Sequence, residues 1–264
     1  MNIVYLGYLI PFAEALMNNP NVSKLTLGYE PNLPKGSVFY KHFQEKRTDI
    51  INASNVNLNQ PIIDACIDAD VVVVGAFSQI LKSEMIEHCL GKIVNFHPSN
   101  LPSYRGGHPI EHQLLDGVTE AGVTFHRIDN GIDSGGIIFQ SSFLVTDNMT
   151  YNDFLETAIN VGGELLDKVV SISPANWPEV LPAHHGEYRR LLNAEDAVIL
   201  PEVTVAQARR IIAALGWRNW VTYQGDEKIQ FINGVLDSQS NDGVPSKELI
   251  LCDGRLKVEV LSNE

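Results

Sequence analysis

The stretch KIVNFHPSNLPSYRGG, residues 92–107, joins an apolar strand to a loop that is rich in proline and glycine. Because side chains alternate along a strand, Asn95 and His97 are predicted to project side by side from its carboxyl end. Open α/β sheets bind their ligands at that end of their strands. Pro98 and Pro102 prevent a regular strand or helix from continuing, so the loop is predicted to form the rim of a site.

The segment DNGIDSGG, residues 129–136, supplies a third polar group. Three glycines and a serine surround Asp133, a composition that favours a tight, exposed turn. We expect the carboxylate of this turn to face Asn95 and His97. A carboxamide, an imidazole and a carboxylate would then converge.

At these residues the chain resembles the folate-dependent formyltransferases, which include methionyl-tRNA, glycinamide ribonucleotide and sugar N-formyltransferases. The family pattern Asn-x-His-Pro-Ser is matched at residues 95–99, Leu-Pro-x-Tyr-Arg-Gly at 101–106, and Gly-x-Asp-Ser/Thr-Gly at 131–135. One departure is Asn100, where many members have Leu. The resemblance covers roughly residues 1–175 and is only general beyond them.

The resemblance implies 10-formyltetrahydrofolate as the formyl donor and no metal. It places the pterin against two loops, whose candidate cofactor contacts are Phe77, Gln79, Ile80, Leu81, Ile128, Asp129 and Ile132. The apolar members of the first loop are equally typical of ordinary core residues. For the substrate, the candidate contacts are Tyr104, Arg105 and His108, and a surface salt bridge is the alternative for Arg105.

Formyl transfer to an amine requires a polarised formyl carbonyl, a stabilised oxyanion and an acceptor for the amine proton. His97 and the amide N–H of Asn95 can both aim at the developing oxyanion. Asp133 can orient His97 or accept the proton. Taken singly, the three are also typical of a structural histidine, a turn-forming asparagine and a turn-capping aspartate. The motifs in register favour the catalytic interpretation, and which group accepts the proton stays open.

The first 96 residues alternate apolar runs with amphipathic segments, which predicts a β-α-β fold. The unbroken run of valines at 71–74 is typical of a central parallel strand covered on both faces. We predict an α/β fold with a Rossmann-like, doubly wound, mostly parallel sheet in a catalytic domain over residues 1–183. The turn after the first strand lacks G-x-G-x-x-G, which argues against a dinucleotide cofactor. The predicted strands are NIVYLG, KLTLGY, TDIINA, VVVVGAF and KIVNF, with helices near 13–18, 39–45, 61–69 and 82–89.

Beyond the central loop, a helix is predicted over 109–115, strands over 123–128 and 136–145, and a long helix that starts at a Thr150–Asp153 cap. Residues 184–264 are predicted to form a small β-rich subdomain, a partial barrel. Its signals are a capping box at Thr204 and Gln207 and a hairpin turn at Asp253-Gly254. Its apolar strand residues are expected to pack on the first domain or on a second copy of the chain.

The composition, with 44% hydrophobic residues and a formal net charge of −13, is that of an acidic globular protein. Such a field repels a long phosphate backbone, so no nucleic-acid partner is expected. Three widely spaced cysteines, a start without a leader pattern and the lack of a bilayer-spanning apolar run predict a cytoplasmic protein without membrane contact. His108 and His112 are four residues apart but have no third ligand in a metal motif, so no metal site is predicted.

The acceptor is inferred by elimination. Residues 7–10 are not the glycine-rich phosphate turn of glycinamide ribonucleotide formyltransferases, and the acidic charge disfavours tRNA. What remains is formylation of a nucleotide-linked amino sugar. The resemblance to sugar N-formyltransferases implies a homodimer that acts in surface polysaccharide biosynthesis. The alternatives are a methionyl-tRNA formyltransferase with a reduced C-terminal domain and a non-catalytic folate-binding protein.

Overall fold

The computed structural model describes residues 1–46, 48–89, 91–178, 186–218, 220–224, 227–228, 231–235 and 246–260. The strands are β1 (Asn2–Gly7), β2 (Lys24–Tyr29), β3 (Asp49–Asn52), β4 (Val71–Gly75), β5 (Ile93–His97), β6 (Arg105–Gly106), β7 (Glu120–Arg127), β8 (Ile137–Leu144), β9 (Tyr188–Arg189), β10 (Val198–Ile199), β11 (Thr222–Tyr223), β12 (Glu227–Lys228), β13 (Phe231–Val235), β14 (Ser246–Leu251) and β15 (Gly254–Val260). The helices are α1 (Ile10–Asn18), α2 (Pro34–Phe43), α3 (Gln60–Asp68), α4 (Ser83–His88), α5 (Pro109–Asp116), α6 (Tyr151–Ser171) and α7 (Val205–Leu215).

The main sheet has seven strands in the order β3-β2-β1-β4-β5-β7-β8. All neighbours from β3 to β5 are parallel, and β7 runs antiparallel to β5. The chain winds outward first through β2 and β3 and then, from the other side of β1, through β4 and β5. The predicted doubly wound, mostly parallel sheet is therefore confirmed.

Local sequence explains most of the element bounds. Every residue of β4 is buried, as its unbroken valine run predicts. The helix predicted at 39–45 in fact begins earlier, at Pro34. Proline is compatible with a first helical turn. Gly36 is needed in that helix because a Cβ there would lie 1.8 Å from the carbonyl oxygen of Glu30.

Aromatic packing around Phe96 holds strand β5 in place. Phe96 meets Phe12 of α1 edge to face, with ring centroids 4.8 Å apart, and lies 5.6 Å from Phe125 of β7. On α6, Gly162 leaves room for this ring, since a Cβ there would come within 2.5 Å of Phe96. Helix α6 thus packs on the sheet, against the strand that carries Asn95 and His97.

The chain divides into two compact units. The first comprises Met1–Arg105, Gly122–Ser142 and Thr157–Glu187, and the second comprises Gly106–Ala121, Phe143–Glu156 and Tyr188–Glu264. The predicted domain boundary between residues 183 and 184 lies outside the described residues.

The second unit combines helices with short strands. Helix α7 begins at the predicted capping box, in which the Thr204 and Gln207 side chains exchange hydrogen bonds with each other's backbone. Its strands form the sheets β10-β11-β12 and β13-β15-β14. Strands β14 and β15 make the predicted hairpin, but its two turn residues are Cys252-Asp253 rather than Asp253-Gly254. The β-rich segment is therefore confirmed. Of its predicted apolar residues, Val221, Leu249, Leu251 and Val258 are buried, and Ile229 lies outside the described residues.

A partly buried ion pair also belongs to the second unit. Arg218 donates to the carboxylate of Glu111 at 2.6 Å, and its guanidinium lies over the rings of Trp217 and Trp220.

Within the described ranges, no helix is long and apolar enough to cross a bilayer.

Candidate active site

Three polar side chains of the first unit meet at β5. Asn95 and His97 point to the same side of the strand, as alternation predicts. Asp133 reaches both, with its Oδ1 3.4 Å from Asn95 Nδ2 and its Oδ2 3.6 Å from His97 Nδ1. The structure thus brings together the carboxamide, imidazole and carboxylate that the motifs predict.

The turn that carries Asp133 is organised by its own residues. Asp133 adopts a left-handed backbone conformation with φ of +48°. The carboxylate of Asp129 accepts hydrogen bonds from Gly131 N at 3.0 Å and from Ser134 Oγ at 2.6 Å. Gly135 passes so close to the preceding strand that a Cβ would lie 1.9 Å from its backbone. Asp129, predicted to contact the cofactor, therefore holds the shape of the turn.

A fourth polar side chain, His126, escaped the sequence analysis. In the antiparallel pairing of β5 and β7 it lies directly opposite Asn95. Its Nε2 is 3.1 Å from Asn95 Nδ2 and 3.5 Å from Asp133 Oδ1. The available signal was a histidine inside an apolar strand, but its meaning depends on a register that the sequence does not state.

Main-chain carbonyls determine which nitrogen of each ring carries a proton. His97 Nε2 lies 2.9 Å from Tyr104 O, and His126 Nδ1 lies 2.8 Å from Arg127 O. Because a carbonyl only accepts, both nitrogens are donors. In its neutral form, each ring then keeps a lone pair on its other nitrogen. For His97 this is Nδ1, which faces Asp133, and for His126 it is Nε2, which then accepts from the amide of Asn95.

Burial favours the neutral form of His97. Desolvation lowers the pKa of His97 below its usual value, and the charge of Asp133 and the hydrogen bond to Tyr104 oppose that shift only partly. Burial therefore favours a neutral imidazole in the resting site. A neutral imidazole beside a carboxylate can take up a proton.

The loop after β5 is held by polar residues of the neighbouring strands. Thr124 Oγ1 donates to Ser99 O at 2.6 Å and accepts from Leu101 N at 3.2 Å. Gln140 Nε2 donates to Leu101 O and to Thr124 Oγ1, both at 2.8 Å. Thr124 and Gln140, which the sequence analysis did not identify, fix the loop that follows the site.

In the loop after β4, Gln79 has a structural role. Its Nε2 donates to Glu30 at 2.8 Å and to Ala53 O at 2.9 Å, and its Oε1 accepts from Val56 N at 2.9 Å. These bonds use both amide hydrogens and the carbonyl. The side chain of Gln79, predicted as a cofactor contact, is therefore committed to the protein itself.

The apolar cofactor candidates fall into two groups. Leu81 is buried in the core on one side of the sheet, and Phe77 and Ile128 pack partly buried against that same core. Ile80 and Ile132 instead expose 71% and 44% of their surface. The core interpretation is correct for Leu81, and the two isoleucines offer apolar surface to a ligand.

The three predicted substrate contacts differ in what they touch. Tyr104 presents its backbone oxygen to His97, and Arg105 Nε donates to Ile132 O at 3.1 Å. His108 belongs to the second unit, where its Nδ1 accepts from Leu192 N at 2.9 Å. Burial, followed by the charge of Arg218, lowers the pKa of His108.

The fold and the cluster define an α/β protein with a candidate acid–base site at the end of a central strand. In the part of the chain that the structure describes, no group of three or more His, Cys, Asp or Glu side chains is arranged to hold a metal ion.

Comparison with known proteins identifies a formyl transferase domain in the chain. The model of the formyl transferase family matches residues 40–170. A methionyl-tRNA formyltransferase from Syntrophomonas wolfei is 27% identical over 179 residues, which cover 66% of this chain but only 57% of that protein. One from Clostridioides difficile is 26% identical over 279 residues, covering 100% of this chain and 89% of that protein. The chain thus carries a formyl transferase domain at residues 40–170.

A solved structure shares the fold. The N-formyltransferase from Helicobacter canadensis, crystallised in complex with folinic acid and dTDP-3-aminofucose, superimposes with a TM-score of 0.69 at 19% identity. The match covers 98% of this chain and 99% of that one.

Proposed function

We propose that the protein transfers a formyl group from 10-formyltetrahydrofolate to the amino group of a nucleotide-linked amino sugar. The observation that carries this proposal is the cluster of Asn95, His97 and Asp133, with a neutral imidazole lone pair 3.6 Å from a carboxylate. Such a pair can accept the proton that an amine loses as it attacks a carbonyl.

The proton is shared by two groups in this proposal. When His97 Nδ1 or Asp133 Oδ2 takes it up, the 3.6 Å separation closes to an Nδ1–H···Oδ2 hydrogen bond. In either case the proton lies between the two side chains, so the proposed acceptor is the pair rather than one residue. The new C–N bond forms on the acceptor amine, the bond from the formyl carbon to N10 breaks, and the proton passes on to N10.

In this proposal, Asn95 stabilises the oxyanion that develops on the formyl oxygen. One of its amide hydrogens is held by His126 at 3.1 Å, whereas the one directed at Asp133 spans 3.4 Å, beyond the usual range of a good hydrogen bond. This second N–H can turn toward negative charge that develops on the formyl oxygen. His126 keeps the amide in that orientation.

The residues present suit a folate. Bound 10-formyltetrahydrofolate supplies the electrophilic formyl group. A pterin needs an apolar face for its flat ring, and the exposed Ile80 and Ile132 offer such surface in the two loops that the family resemblance implicates. Phe77 and Ile128, which pack on one core, support those loops.

The amino-sugar acceptor rests on charge and on the structural neighbour. A net charge of −13 repels a polyanion but tolerates a small nucleotide held by a few donors. The Helicobacter canadensis protein, which matches nearly end to end, was crystallised with an amino sugar on a nucleotide. We further propose that the enzyme is a cytoplasmic homodimer and acts in surface polysaccharide biosynthesis.

A direct test incubates the protein with 10-formyltetrahydrofolate and a panel of nucleotide-linked amino sugars. We expect one sugar to gain a single CO unit in the mass spectrum, with loss of the signal in Asp133→Asn. If the protein binds the folate and formylates no amine, it is a non-catalytic folate-binding protein.

A second candidate is formylation of methionyl-tRNA, favoured by the names of both sequence relatives. The same assay with charged initiator tRNA separates the two. Tight, strongly salt-dependent binding of that tRNA, with turnover, would replace the amino sugar as the substrate.

A further inference from the structure

The dipeptide Tyr104-Arg105 contacts His97 and the turn that carries Asp133. The carbonyl oxygen of Tyr104 accepts from His97 Nε2 at 2.9 Å. From the next residue, Arg105 Nε donates to Ile132 O at 3.1 Å, and Ile132 immediately precedes Asp133. The backbone of one residue thus orients the imidazole, and the side chain of the next holds the turn that carries the carboxylate.

We propose that Arg105 is a positioning residue that fixes the Asp133 turn over His97, and that the nucleotide is held by other groups. This inference rests on the proposed formyl transfer, because it assigns Arg105 a role in that reaction. It also replaces the sequence-based expectation that Arg105 binds substrate phosphate.

The turn needs an external support. Asp133 occupies the left-handed region, which is unfavourable for a residue with a side chain and persists only where its surroundings enforce it. Arg105 holds the peptide just before this residue. A small rotation there would move the carboxylate away from His97, and displacements on the scale of 1 Å can cost large factors in rate.

The other end of the guanidinium is also anchored on backbone. Arg105 Nη1 lies 3.3 Å from Gly186 O. Gly186 in turn packs on the central loop so tightly that a Cβ there would lie 1.7 Å from Pro102 O. The flat, rigid fork of arginine suits a bridge between two carbonyls, which the single ammonium of lysine cannot reproduce.

The test compares Arg105→Gln and Arg105→Lys with Arg190→Gln, a matched loss of charge at an exposed ion pair with Asp196 in the second unit. We expect Arg105→Gln to lower kcat at least about tenfold with both KM values within about threefold of wild type. Arg105→Lys should recover only part of kcat, and Arg190→Gln should match wild type.

A second readout does not depend on turnover. His97 faces Asp133, which raises its pKa, and His126, which lowers it. If Arg105→Gln lets the Asp133 turn move away, the pKa of His97 measured by NMR titration should fall further, while the second-unit control leaves it unchanged. Should wild type formylate no amino sugar, the proposed function fails but this titration still decides the role of Arg105.

Several results would overturn the inference. One is a raised KM for the nucleotide sugar with kcat unchanged, the behaviour of a phosphate ligand. Another is full recovery by Arg105→Lys, which would show that charge alone suffices. The third is an unchanged His97 titration in Arg105→Gln. If Arg105→Gln does not fold, the same measurements on Arg105→Lys decide, since a partial loss of kcat with a lowered pKa is then required.

Discussion

Two carboxylates of the first unit, Glu30 and Asp133, have opposite surroundings. Glu30 follows β2, is 8% exposed, and lies 2.7 and 2.8 Å from Ser78 Oγ and 2.8 Å from Gln79 Nε2, with Tyr8 also donating to it. Asp133, with a side chain 14% exposed, approaches its neighbours Asn95, His97 and His126 at 3.4–3.6 Å.

This difference in hydrogen bonding separates a carboxylate with a structural role from one with a catalytic role. Short hydrogen bonds from neutral donors fix the Glu30 side chain and tie together the loops after β1, β2 and β4. The longer contacts of Asp133 involve groups that can shorten them when a proton arrives. The predictions below test that distinction, in order of decreasing effect.

Replacing Asp133 by Asn should cause the largest loss. The substitution keeps the shape of the side chain but removes its proton affinity, so kcat is expected to fall by roughly 100-fold or more. Steady-state kinetics against the formylated sugar measure it, with circular dichroism as the control for folding. Turnover near wild type in this variant, or in His97→Ala, would end the proposed role of the pair.

Glu30→Gln should act on stability rather than chemistry. The amide places N–H groups against the donors of Ser78 and Gln79, and lost hydrogen bonds to a charged group amount to about 2 kcal/mol of unfolding free energy. Urea denaturation measures this, and kcat of the folded protein should change less than about threefold. A 100-fold loss of kcat without loss of stability would mean that the two carboxylates do not differ in kind.

The pH profile sharpens the assignment to His97. Because burial lowers its pKa below the ordinary value of about 6.5, kcat should stay level above that pH and then decline toward about tenfold per unit below the lowered pKa. Between the lowered pKa of folded His97 and the ordinary value of about 6.5, the unfolded chain binds more protons than the folded one. The free energy of unfolding therefore also falls as the pH falls through this range.

Asp133 provides a matched test of the same profile. Its charge raises the pKa of His97, so the residual activity of Asp133→Asn should decline only at still lower pH. A decline that begins above pH 7 in wild type would contradict a neutral, desolvated His97.

The smallest predicted effect concerns Asn100, the departure from the family pattern. Within the described structure its buried Oδ1 has no hydrogen-bond partner and packs beside Gly122, while its Nδ2 donates to Ser142 Oγ at 3.1 Å. Asn100→Leu should raise the unfolding free energy by about 1 kcal/mol, because it removes an unsatisfied polar atom. A lower melting temperature in thermal unfolding would contradict this.

Local sequence patterns were sufficient to predict the main sheet and three polar residues of the candidate site. Hydrophobic runs matched β1 and β2 residue for residue, because strand periodicity is a property of neighbouring positions. Asn95, His97 and Asp133 were found because motifs place them near turns whose direction short-range chemistry dictates.

What the sequence missed depends on contacts between distant segments. His126 matters because the register of β7 on β5 sets it opposite Asn95. Gln79 was interpreted as a ligand contact because its partners, Glu30 and Ala53, come from another part of the chain. The two units were not foreseen as interleaved, since the chain leaves the first unit after Arg105 and returns to it at Gly122.

The two histidines of the cluster have their protons assigned by peptide oxygens, those of Tyr104 and Arg127. Every amino acid carries that oxygen, so mutational drift at either position can alter the side chain and leave the acceptor in place. Which ring nitrogen carries the proton therefore depends on the course of the backbone and not on the side chains at these two positions. Among distant relatives, it can persist wherever the loop and strand keep their course, even where the residues at 104 and 127 differ.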